Sequence, residues 1–103
     1  MQAIDLTQEQ HFDPEAKVSK LVFDSEQVRL ALFCSEAGQG VEGCQSTSRV
    51  SFTILEGEGE FFDGKGRLTA GPGTVVVWEP GDTHGYKALS RLVFLATIAP
   101  RPG

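Results

Sequence analysis

The stretch GPGTVVVWEPGDTHGY at residues 71–86 carries the reading of the fold. Gly71, Pro72 and Gly73 make a turn. Residues 74–78, nearly all β-branched or aromatic, make a strand that reads as buried. Residues 79–83 turn again, with Pro80 and Gly81 adjacent. Between these elements runs a fixed spacing: Gly73, five residues, Glu79, one residue, Gly81, two residues, His84. Upstream, GQGVEGCQSTSRVSFTILEG at residues 38–57 carries a companion skeleton. It runs Gly38, five residues, Cys44, one residue, Ser46, three residues, Val50, six residues, Gly57. Gly57, Gly73 and Gly81 stand where strands turn sharply, because glycine adopts positive φ without a Cβ clash.

Working outward, short β-rich runs alternate with glycine turns. Residues 18–23 and 28–35 read as strands. The second places Val28, Leu30, Leu32 and Cys34 on one face, with Arg29, Ala31, Phe33 and Ser35 on the other. Residues 36–43 read as a glycine-rich loop. Residues 50–55 form a strand with Val50, Phe52 and Ile54 on one face and Ser51 and Thr53 on the other. Asp63-Gly64-Lys65-Gly66 is a hairpin turn leading into a short strand at 67–70. Residues 92–98 are the last strand. Only 6–10 and 14–17 look helical, and both are short. The pattern is all-β with regular turns, a sandwich or barrel.

A chain of 103 residues fits one domain, 1–103, with its barrel core at about 28–98. The N-terminal segment 1–27 is expected to pack on that barrel or on a dimer partner. Such a domain has a radius of gyration of roughly 13 Å. The net charge of −5 opposes nucleic acid and anionic membrane as partners, since both need a basic face. Residues 1–13 lack a basic start and apolar run, and no stretch approaches the ~20 apolar residues that cross a bilayer. The expected location is the cytoplasm. Cys34 and Cys44 are then read as reduced thiols, with a Cys34–Cys44 disulfide as the alternative.

The two spacing skeletons, with ILEGEGEF at 54–61 and the short spacer 58–72 between them, resemble a small single-domain cupin. The resemblance covers about residues 28–98 and implies a double-stranded β-helix, a jelly-roll barrel. In metal-binding cupins the positions of Cys44, Ser46, Val50 and His84 hold three histidines and a glutamate that face the barrel interior. Only His84 matches. A thiolate at Cys44 binds soft or borderline metals, neutral Ser46 is a poor ligand, and Val50 is none. The second motif departs too, with Glu79 in place of the usual proline and Ala88 in place of the usual asparagine.

Ligand arithmetic orders the functions. A structural zinc site takes four protein ligands and a catalytic one three, whereas Cys44 and His84 supply two. The expected function is therefore binding of a small, largely apolar ligand in the barrel without a full metal site. Its candidate residues are His84, Cys44, Ser46, Val50, Phe52, Trp78 and Tyr86, with Ile54 and the apolar residues of 74–78 as further wall. No cofactor is expected. The alternative is a metal-dependent enzyme of dioxygenase or isomerase type with a reduced ligand set including Cys44 and His84 and a divalent transition metal. His84 and Tyr86 are the candidate catalytic pair, since some metal-free cupins use a His base and a Tyr acid. A third reading makes the barrel a dimer-forming scaffold. A homodimer is expected under all three. His11 reads as an exposed histidine, and Glu56, Glu58 and Glu60 as a solvated sheet edge.

Overall fold

Alternating burial along short strands builds two sheets. The computed structural model describes residues 1–102, so Gly103, the end of the expected domain, lies outside it. Its strands are β1 (Val18–Asp24), β2 (Arg29–Ser35), β3 (Gly40–Gln45), β4 (Arg49–Glu56), β5 (Gly59–Phe62), β6 (Arg67–Ala70), β7 (Val75–Trp78), β8 (Thr83–Ala88) and β9 (Leu92–Ala99). They form a five-stranded sheet ordered β1-β2-β9-β4-β7 and a four-stranded sheet ordered β3-β8-β5-β6, with every pairing antiparallel. The all-β jelly-roll expectation holds. The radius of gyration, 12.9 Å, matches the chain length. Among the described residues, no helix is long and apolar enough to cross a membrane.

The interior between the sheets is aromatic. Phe52 stacks on Phe94 with ring centroids 4.1 Å apart, and Phe33 stacks on Phe94 at 4.9 Å. Tyr86 meets Phe94 edge-on at 4.9 Å. Phe61, Phe94 and Tyr86 are almost completely buried. Burying one such apolar side chain contributes about 1.5–3 kcal/mol, so this cluster is a large apolar contribution to a small barrel.

Strand β2 is covered on both faces. Ala31 and Phe33 face the aromatic interior, whereas Leu32 and Cys34 join Val93 in an outer layer under Leu6, Phe12 and Val22. The N-terminal segment thus lies over the outer face of the five-stranded sheet. Polar contacts tie it down: Gln10 donates to the Glu56 carboxylate, Lys20 pairs with Glu9, and Gln39 Nε2 donates to the Asp13 carbonyl at 2.9 Å. The Arg91 guanidinium sits 4.1 Å from the Phe12 ring centroid. It also donates from two nitrogens to Glu36, at 2.9 and 2.8 Å, which holds the Glu36 carboxyl below its usual range.

Three local expectations are corrected, and one strand is added. The glycine-rich stretch 36–43 is a loop only in its first part, because β3 begins at Gly40 and pairs with β8. Glycine serves close approach there: a Cβ at Gly40 would lie 2.0 Å from the Tyr86 carbonyl oxygen. Strand β8 occupies residues between the expected turn and the last strand. Strand β7 is not buried throughout. It is an edge strand on which Val76 and Trp78 are buried while Val75 and Val77 are exposed. Residues 6–10 and 14–17 form turns and bends instead of short helices.

Candidate functional site

The two sequence skeletons meet on adjacent strands. Cys44 of β3 is the direct cross-strand partner of His84 of β8, and Val41 is the partner of Tyr86. Tyr86 follows His84 by two residues and so shares its inward face. The turn before β8 fixes their position. Asp82 donates from its amide to the Glu79 carbonyl at 3.0 Å, and the Glu79 amide donates to Asp82 Oδ2 at 3.0 Å. Gly81, at φ +89°, donates to the Ser46 carbonyl at 2.8 Å and locks this turn to the β3–β4 connection.

These residues border a cavity of about 310 Å³ between the sheets. Its apolar wall comes from Phe33, Val41, Val50, Phe52, Ala96 and Ile98, and its polar groups from Lys17, Ser19, Cys44, His84 and Tyr86. A second hollow of about 400 Å³ shares Cys44, Val50, His84 and Ile98 with it and adds Gln45, Ser46 and Thr47. Cys44 is exposed at this mouth, and His84 is half-buried beside it.

The electrostatics of the polar groups differ. Burial lowers the pKa of His84, with partial compensation from the Asp82 backbone, so the imidazole is neutral at pH 7. Burial pushes Tyr86 up to about 12, partly offset by its hydrogen bond with Ser35. The Tyr86 hydroxyl stands 2.8 Å from Ser35 Oγ and is committed to that contact. A phenol so placed holds its proton, which disfavours an acid–base role at neutral pH.

The sequence candidates divide on this map. His84, Cys44, Val50, Phe52 and Tyr86 border the inner cavity, and Ser46 borders only the outer hollow. The Ser46 hydroxyl accepts from the Ser48 amide at 3.0 Å, a turn contact. Trp78 lies outside the cavity wall. It packs on Phe52 at 4.8 Å and donates from Nε1 to the Phe62 carbonyl at 3.1 Å. Ile54 and Val76 likewise belong to the core and do not border the cavity. Alternation could not choose the inward face of β2, where both faces are apolar. Phe33 was missed for that reason, Val41 because 36–43 reads as a loop, and Lys17, Ser19, Ala96 and Ile98 because they lie outside the two motifs.

The metal donor set stays short. Among the described residues, no cluster of three or more His, Cys, Asp or Glu side chains forms. Cys44 and His84 stand together, but Val50 fills a third ligand position with an apolar wall, so the family's four-ligand set does not fit. The cysteines belong to different sheets, Cys34 buried in the outer layer and Cys44 at the mouth, and both are free thiols. The Cys34–Cys44 disulfide is not formed.

Comparison with solved structures places this architecture. An RmlC-like cupin protein from Desulfovibrio desulfuricans is 32% identical over 97% of both chains, with a TM-score of 0.89. The chain belongs to the cupin family. A protein from Thermus thermophilus is 28% identical over 99% of this cupin and 100% of its own length, at a TM-score of 0.92. An RmlC-like cupin with a double-stranded β-helix fold from Methanocaldococcus jannaschii is 20% identical over 87% of this chain and 85% of its own, at 0.77, a likeness of fold. No protein-family model and no curated protein matches this cupin. The fold is therefore fixed, and the activity must be argued from the cavity.

Proposed function

We propose that this cupin binds a small, largely apolar molecule in the cavity between its sheets, without a full metal site. The observation that carries the reading is the wall itself. Phe33, Val50, Phe52, Ala96 and Ile98 surround about 310 Å³, and His84 offers a neutral hydrogen-bonding edge on one side. Ligand sites are commonly apolar hollows with few polar groups, and the volume is at the small end of their range of about 300–1,000 Å³. A panel of small aromatic and aliphatic compounds, screened by thermal shift, tests it. A saturable rise in Tm supports the reading. No shift with any compound removes it.

The cross-strand pairing of Cys44 with His84 favours a second reading, a metal-dependent enzyme of dioxygenase or isomerase type with a reduced ligand set. Two donors fall one short of a catalytic zinc site, which ranks it behind binding. Elemental analysis of protein purified without added metal decides it: stoichiometric metal lost on His84→Ala would reverse the order.

Pairing into a homodimer is part of the proposal. Strand β7 is an edge that carries no charge and exposes Val75 and Val77, and native edges of that kind are usually covered. Light scattering at micromolar concentration tests this, and a monomer contradicts it. The proposed setting is the cytoplasm, with no nucleic-acid or membrane partner.

A further inference from the structure

We propose that Lys17 makes the cavity selective for a carboxylate: a small organic monoanion whose apolar body lies on Phe33 and Phe52 and whose charged end meets the lysine. This rests on the ligand-binding reading and names the ligand class for the same site.

The charge distribution around the cavity carries the inference. Across the chain, acidic residues outnumber basic ones, 14 to 9. Yet no Asp or Glu side chain among the described residues borders the inner cavity or the hollow at its mouth. Lys17 does border the cavity, together with Ser19. The β1–β2 register explains why. Ser19 is paired with Phe33, whose side chain faces the interior, and Lys17 lies two residues earlier on the same face.

The other cations are disposed differently. Lys20, Arg29, Arg49, Arg67, Arg91 and Arg101 all form ion pairs with carboxylates. Lys17 forms none among the described residues. Lys65 and Lys87 also form none, but they border shallow hollows elsewhere that are flanked by Asp63 or Glu42. Among the described residues, Lys17 is thus the one lysine or arginine that borders the apolar cavity, and no carboxylate of the lining pairs with it.

The number of charges selects the anion class. One lysine balances one negative charge. The His84 imidazole, neutral because burial lowers its pKa, adds a hydrogen bond without a second charge. A phosphate monoester carries about −1.5 to −2 at pH 7 and would leave charge uncompensated against an aromatic wall. A carboxylate brings one charge and two acceptor oxygens, and a charge-assisted hydrogen bond to lysine is roughly twice as strong as a neutral one.

Calorimetric titration with matched probes tests this: phenylacetate, its neutral amide phenylacetamide, and phenyl phosphate. Phenylacetate is expected to bind about tenfold or more tightly than the amide, the worth of one charged hydrogen bond. The advantage should shrink at high ionic strength. Lys17→Gln should remove it by weakening the acid far more than the amide, and Lys17→Arg should keep it. Thermal unfolding of the free variants is measured alongside to show that they fold. Equal binding of acid and amide, a preference that survives Lys17→Gln, or tighter binding of phenyl phosphate overturns the anion selectivity while the cavity reading stands. Binding of none of the probes overturns both.

Discussion

The hydroxyls of Tyr86 and Ser35 lie 2.8 Å apart in the buried interior and join the two sheets of the barrel. Ser35 ends β2 of the five-stranded sheet, and Tyr86 belongs to β8 of the four-stranded sheet. Each is the other's hydrogen-bond partner. Removing one leaves the other buried without a partner, which costs about 1–3 kcal/mol. Tyr86→Phe and Ser35→Ala are each expected to lose stability in that range by urea denaturation. The double variant should lose clearly less than the sum, since no orphan remains. Additive losses would show that the hydroxyl pair is not the bridge.

Gly57 and Gly73 share a left-handed backbone, at φ +78° and +88°, but differ in what surrounds them. A Cβ at Gly57 would lie 1.9 Å from the Arg91 carbonyl oxygen, whereas one at Gly73 meets nothing within 4 Å. Gly73→Ala should cost only the left-handed penalty, about 1–2 kcal/mol. Gly57→Ala adds a collision with backbone and should cost more than that, enough to show as a large drop in Tm. Equal Tm losses would contradict the close approach of the β4–β5 turn to the start of β9.

That contrast also measures what the sequence could disclose. The spacing of Gly57, Gly73 and Gly81 announced sharp turns, and all three have positive φ. Gly40 and Gly85 carried a different message that spacing could not express. They admit neighbouring chains, with a Cβ at Gly85 falling 2.3 Å from the Phe62 ring, so the glycine-rich segment before Cys44 is half strand. The face assignment of β4 was legible because Val50, Phe52 and Ile54 alternate with Ser51 and Thr53. For β2 it was not, because both faces are apolar and both are covered. Lys17 sat outside the motifs, and only the register of β1 brings it to the cavity.

His84 gives the barrel a predictable pH response. Burial lowers its pKa from the ordinary 6.5, so the folded state favours the neutral ring. The unfolded chain then binds more protons, and unfolding free energy falls as pH drops from about 7 toward 5. Asp24, Glu36 and Asp63 are held below their ordinary values of 3.8 to 4.5. Their stabilisation is therefore lost only at lower pH. Denaturation curves across the upper window should show a decline in the native protein that His84→Asn reduces. An identical decline in both proteins would assign it elsewhere.

The two thiols should differ sharply in reactivity. Cys44 is exposed at the cavity mouth, while Cys34 is buried and its pKa is raised by that burial. A maleimide should label one site quickly in the folded protein and the second only on unfolding. Cys44→Ser should abolish the fast phase. Rapid labelling of both would mean that the N-terminal segment does not cover the outer layer.

The ligand cavity is tested most directly by thermal shift with small aromatic acids and amides on the native protein and on Ile98→Trp, which fills the shared wall of the cavity and its mouth. A ligand at one hundred times its Kd adds about 2.7 kcal/mol to stability, on the order of 10 °C in Tm for a domain of this size. The expected result is a saturable rise in the native protein that is lost in Ile98→Trp. No rise with any compound, or an equal rise in both proteins, would contradict a ligand site between Cys44, His84 and the Phe33–Phe52 wall.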